Sequence, residues 1–190
     1  MKRTKVHAFV FFNLKFDNML TFTIFQFLET HYYSPLMNEI LKLPKESTNP
    51  LYDLNKILSE NCLTKLDIKQ EALNVVLDLV EMIIEDDVIN EDEIKSIRLL
   101  RVFLGIEEGD FNLYEKMDRV EHIILNQMEK LYADNRIDAT EALYKSNLQG
   151  LFGLGYNEYQ EIVDKVALVA YARGAEMKDL DTFLDYGVEL

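Results

Sequence analysis

A pattern that returns at a fixed spacing restricts the folds open to a chain, because each copy must form the same local structure and the copies must bury one another. Here Glu81-Met-Ile-Ile-Glu-Asp-Asp-Val-Ile-Asn-Glu-Asp-Glu93 returns 48 residues later as Glu129-Lys-Leu-Tyr-Ala-Asp-Asn-Arg-Ile-Asp-Ala-Thr-Glu141. Gapless alignment of residues 77–110 on 125–158 gives seven identities in 34 positions: Leu77/Leu125, Glu81/Glu129, Asp86/Asp134, Ile89/Ile137, Glu93/Glu141, Leu100/Leu148 and Gly105/Gly153. Both copies read apolar helix, acidic turn, second helix, glycine. Two helical hairpins packed face to face satisfy that order, and the flanking segments extend them to an all-α bundle of about seven or eight helices.

The periodicity supports this reading along most of the chain. Ala72, Val76, Leu79, Val80 and Ile83 recur at three and four residues within a helix expected from Asp67 to about Glu85, while Asn74, Asp78, Glu81 and Glu85 form a polar stripe of the same period. Asn90-Glu-Asp-Glu93 and Asp138-Ala-Thr-Glu141 have the form of capping boxes, each opening a helix that stops near a glycine, Gly105 or Gly153. Asp110 is expected to cap a stretch that starts at Phe111 and runs to Tyr132 with a break near Met117 or Asp118. Gly155 or Asn157 begins a further helix ending at Gly174, and an amphipathic piece from Met177 to Tyr186 is expected to pack back on the domain.

The N-terminal third is less determinate. Val6 to Phe27 is aromatic-rich and follows Lys2, Arg3 and Lys5, as a secretion signal or anchor would, but Asn13, Lys15, Asp17 and Asn18 interrupt it. A spanning helix needs about 18 continuous apolar residues. Thr21 to Phe27 alternates partly with period two, so a short hairpin and a core-covering helix are both open, and Met19 and Met37 are alternative starts. Ser34-Pro35 opens a short helix through Leu43 that Pro44 is expected to end, and Asn49 or Pro50 starts the next. The polar connector Lys45–Pro50 divides an extension, residues 1–49, from a single all-α domain, residues 50–190.

Charge narrows the function classes. Residues 1–50 hold six Lys/Arg and four Asp/Glu, and residues 51–190 hold 14 and 30, so the domain carries −16 within a total of −14. That surface repels phosphate backbones and lacks a basic stripe, which argues against nucleic-acid binding; cations and basic protein partners suit it better. Cys62 is the only cysteine, so no internal disulfide forms, and a reducing, cytoplasmic setting is expected. His7, His31 and His122 have no zinc-ligand spacing.

The acidic turns are the candidate site. Asn90, Glu93, Asp138 and Glu141 are explained by capping alone, which contributes about 1 kcal/mol per cap without any ligand. Asp86 and Asp134 fall at the C-terminal end of a helix, where the macrodipole disfavours a carboxylate by about 0.3–1 kcal/mol. Their bland role is to accept loop amides as Asx turns do. Their sharper role, with Glu93, Glu141 and the upstream Glu81 and Glu129, is to bind a hard divalent cation, calcium or magnesium, through oxygen ligands. The spacing is not that of an EF-hand: counting from Asp134, positions three, six and twelve are Arg136, Ala139 and Lys145.

Ala133-Asp-Asn-Arg-Ile-Asp-Ala-Thr-Glu141 with Phe152-Gly-Leu154, and Glu85-Asp-Asp-Val-Ile-Asn-Glu-Asp-Glu93 with Leu104-Gly-Ile106, resemble the signature of the TerB-like, tellurite-resistance-associated helical domains: Ala-Asp-Gly-x-Ile-x-x-x-Glu followed by Leu/Phe-Gly-Leu. The resemblance spans roughly residues 65–172, and Asp87 and Asn135 stand where the family has glycine. It implies a pseudo-twofold all-α bundle with an acidic face for a divalent metal, linked to stress, tellurite or phage resistance through protein complexes, sometimes near the membrane. On this chain that metal face corresponds to Asp86, Glu93, Asp134 and Glu141.

The functional expectation is therefore a non-enzymatic acidic interaction module that engages a protein partner and a divalent cation. Two alternatives stay open: a metal-dependent hydrolase using clustered carboxylates, and an ion-free helical adaptor. The hydrolase reading lacks a histidine at helical spacing, since His122 directly follows Glu121 and points to another face.

Overall fold

The computed structural model describes residues 22–84, 89–131 and 139–173. The described residues form nine helices and no strand: α1 (Phe22–Thr30), α2 (Pro35–Glu46), α3 (Pro50–Glu60), α4 (Lys69–Ile84), α5 (Glu91–Leu104), α6 (Asp110–Leu113), α7 (Met117–Leu131), α8 (Ala139–Phe152) and α9 (Tyr156–Ala172). None of them is long and apolar enough to cross a membrane. The protein is an all-α bundle.

The repeat register survives in three dimensions with little drift. α4 and α7 begin 48 residues apart, at Lys69 and Met117, and α5 and α8 keep that offset at both ends, 91–104 against 139–152. Equivalent positions are buried together: Ala72/Val120, Val75/Ile123, Val76/Ile124 and Val80/Met128 are all fully enclosed. α4 packs against α5 and α7, α7 against α8, and α5 against α8, so each hairpin meets its copy helix on helix. α9 then covers α7, burying Tyr159, Ile162, Val163 and Val166. Burial at these spacings is what the sequence period of three and four residues requires.

The caps explain where the helices stop. Gly105 (φ +73°) and Gly153 (φ +64°) both take the left-handed conformation. The amide of the residue after each glycine returns to a carbonyl five residues back, Ile106 to Arg101 at 2.8 Å and Leu154 to Gln149 at 3.2 Å. These are the long bonds of Schellman motifs, and Ile106 and Leu154 tuck into the core beside them. At α5 the capping box is complete: Asn90 Oδ1 accepts the amides of Asp92 and Glu93 at 3.0 Å each, and Glu93 Oε2 accepts the Asn90 amide at 3.0 Å. Asp138 of the second box lies outside the described residues, as does the segment from Met177 to Tyr186.

Two expectations need correction. α2 does not end at Pro44 but runs through it to Glu46. Pro44 sits in the last turn, where it removes a single amide, and its buried ring packs in the core while Ser47 N–H closes the helix on Leu43 O at 2.9 Å. Asp110 is not a cap: the residue before α6 is Gly109 (φ +81°), and the Asp110 carboxylate accepts the Glu107 amide at 2.7 Å instead. The break expected near Met117 is present: residues Tyr114–Lys116 separate α6 from α7, which begins at Met117, and Glu115 takes φ +56°. At the N-terminus, the two open alternatives resolve to a helix, α1, on which Phe27 is buried and stacks on His31 at 3.9 Å.

The α1–α3 layer is held to the repeats by apolar and polar contacts. Met37, Ile40 and Leu54 join the same buried cluster as α4. Ser34 N and Oγ donate to Glu71 at 2.6 and 2.7 Å, so an α4 carboxylate sits at the N-terminus of α2, where the dipole favours it.

Candidate functional site

The described residues on either side of the first acidic turn bond to the second hairpin. Lys130, in the last turn of α7, donates to the carbonyl of Ile84, the last residue of α4, at 2.8 Å. On the far side of the first turn, the Ile89 amide donates to Tyr144 Oη of α8 at 3.2 Å. Ile84 and Ile89, on either side of the first turn, thus both bond to the second hairpin, one to the end of α7 and the other to Tyr144 in the second turn of α8. The face-to-face packing of the repeats dictates this, because equivalent ends of α4 and α7 must then coincide.

Of the four candidate ligands, Glu93 is fully described: it is part-buried, and one carboxylate oxygen is committed to the capping box. Glu141 stands in the first turn of α8, with its side chain outside the description, and Asp86 and Asp134 lie outside the described residues. Among the described residues, no three His, Cys, Asp or Glu side chains are grouped so as to hold a metal ion.

The two upstream glutamates part company. Glu129 is exposed, whereas Glu81 is held in a fork by Arg119, Nε to Oε1 at 2.9 Å and Nη2 to Oε2 at 2.5 Å. The same Nη2 reaches Asp78 Oδ1 at 2.7 Å, and Tyr33 Oη donates to Asp78 Oδ2 at 2.9 Å. One guanidinium therefore joins α7 to α4, with α1–α3 attached through Tyr33. The Glu81 hydrogen bond, partly opposed by desolvation, holds Arg119 protonated still more firmly than usual. Burial first, and then the bond to Asp78, raises the Tyr33 phenol. The acidic stripe read from the sequence is here an ion-pair network rather than a free ligand set.

A buried polar chain ties the turn end together. Tyr144 Oη, besides accepting the Ile89 amide, donates to Gln127 Oε1, and Gln127 is fully enclosed. The equivalent positions in the first repeat, Leu79 and Ser96, cannot form such a chain. The pseudo-symmetry is broken at this point.

At the opposite helix ends, cations meet the last carbonyls, where the helix dipole is negative. For α5, Lys65 Nζ reaches Phe103 O at 3.2 Å, and Lys69 Nζ reaches both Gly105 O and Asp110 Oδ2, the latter at 2.6 Å. For α8, Arg101 reaches Gly150 O at 3.2 Å and also Leu151 O, and Arg98 reaches Asn147 O at 3.2 Å. Arg101 is 8% exposed and lies 5.6 Å from the Phe111 ring centroid. Burial pulls both Arg101 and Lys65 below their ordinary values. These cations bond carbonyls near the C-terminal ends of α5 and α8.

Of the adjacent pair Glu121 and His122, Glu121 bonds Lys165 of α9 and His122 is exposed. Sequence reasoning missed the Arg119 fork, the Lys69–Asp110 pair and the Tyr144 chain. A signal for two of them was present, since Lys69 and Gln127 are polar residues on the apolar stripes of α4 and α7, and a polar group on such a stripe must find a partner. Compared with known proteins, the chain matches no family model, no curated protein and no solved structure.

Proposed function

We propose that the protein is a non-enzymatic, acidic interaction module of TerB-like type, acting in a stress- or resistance-associated complex, and that Asp86, Glu93, Asp134 and Glu141 take a calcium or magnesium ion. The observation that supports this most is that Ile84 and Ile89, on either side of the first acidic turn, bond to Lys130 at the end of α7 and to Tyr144 in α8. A duplicated acidic turn serves one ion only when both copies leave the bundle at the same end. Hard divalent cations take six to eight oxygens in the calcium case, so carboxylates from two turns, completed by backbone carbonyls and water, are suitable chemistry. The −16 charge of residues 51–190 would draw such an ion, or a basic partner, toward that face.

Titration calorimetry with calcium, magnesium and manganese tests the cation. Wild type should release or absorb heat with at least one of them, and Asp86→Asn/Asp134→Asn should lose it. Null heats for both proteins would remove the ion and leave the second reading, an ion-free helical adaptor. That reading has its own support in Glu93, whose carboxylate already caps α5.

A further inference from the structure

We draw no further inference here: the strongest candidate, the exposed apolar side chains Leu168, Val169 and Tyr171 on the last two turns of α9, is an unpartnered helix face, and nothing among the described residues shows what covers it.

Discussion

Replacing Tyr144 by phenylalanine removes one oxygen from the centre of the turn end and leaves the ring in place. That oxygen serves two enclosed groups, the Ile89 amide at 3.2 Å and Gln127 Oε1, and Ile89 and Gln127 are 1% and 0% exposed. A made hydrogen bond contributes only about 1 kcal/mol net, but a buried donor or acceptor left without a partner costs about 1–3 kcal/mol. Two such groups, partly relieved by local relaxation, place the loss at about 2–4 kcal/mol, a substantial share of the roughly 5–15 kcal/mol that holds a domain together. With a urea slope of roughly 2 kcal/mol/M, the unfolding midpoint followed by circular dichroism should fall by about 1–2 M at unchanged slope. Adding Gln127→Leu, the residue type at the equivalent Leu79, removes the stranded acceptor and should recover about 1–2 kcal/mol relative to Tyr144→Phe alone. Hydrogen exchange locates the effect: the Ile89 amide should lose protection while Ile94, bonded to Asn90 O inside the capped helix, keeps its own. A Tyr144→Phe protein within about 0.5 kcal/mol of wild type, with Ile89 exchange unchanged, would refute the bridging role.

Arg119→Ala should destabilise by about 1–2 kcal/mol, modest because Arg119, Asp78 and Glu81 are each about one-third exposed, and the loss should shrink in high salt. Arg119→Lys should recover little of it, since a single ammonium cannot reproduce the fork; urea titrations at two ionic strengths decide both points. Gly153→Ala should cost about 2 kcal/mol and Gly105→Ala about 1 kcal/mol in thermal melts, both from the left-handed backbone. The difference arises because a Cβ at 153 would come within 3.3 Å of the Glu108 backbone and 2.9 Å of Arg101, whereas at 105 it meets, at 2.6 Å, the flexible chain of Lys65. Equal costs would contradict that account. Hydrogen bonds from the Thr64 hydroxyl and then the Thr64 amide hold the Asp67 carboxyl below its usual value of 3.8. Its folded form binds a proton less readily than the unfolded chain, so its contribution is present above the unfolded value and fades as pH falls through the folded one. Wild type should therefore exceed Asp67→Asn in stability at neutral pH and converge on it in strong acid; a constant gap would show that the carboxylate plays no part.

Local rules made much of the fold legible. The capping box at Asn90, the glycine stops at 105 and 153, and the apolar stripes of α4 and α7 each depend on residues within about four positions of one another. The 48-residue offset then carried each boundary from one hairpin to the other. The same rules failed where packing overrode them. α2 runs through Pro44, which in the last turn removes only one amide, and the Asp110 carboxylate accepts the Glu107 amide and pairs with Lys69, 41 residues earlier.

The candidate site was legible in residue type alone. From the carboxylates at 86, 93, 134 and 141 a reader could name hard-ion chemistry but not where the helices that border the two turns would pack. That is set by the contacts of α4 with α7 and α5 with α8, whose visible results are the bonds Lys130–Ile84 and Tyr144–Ile89, made across 46 and 55 residues. Equally, nothing local distinguishes Glu81, clamped by Arg119 from 38 residues away, from Glu129, its exposed equivalent. The sequence by itself determined a duplicated helical hairpin with acidic turns, because helix propensity, capping and period act over one or two turns. Tertiary structure alone decided that Asp78 and Glu81 are paired with Arg119 while Glu129 stays exposed, because a charge acquires its partner only after distant helices have packed.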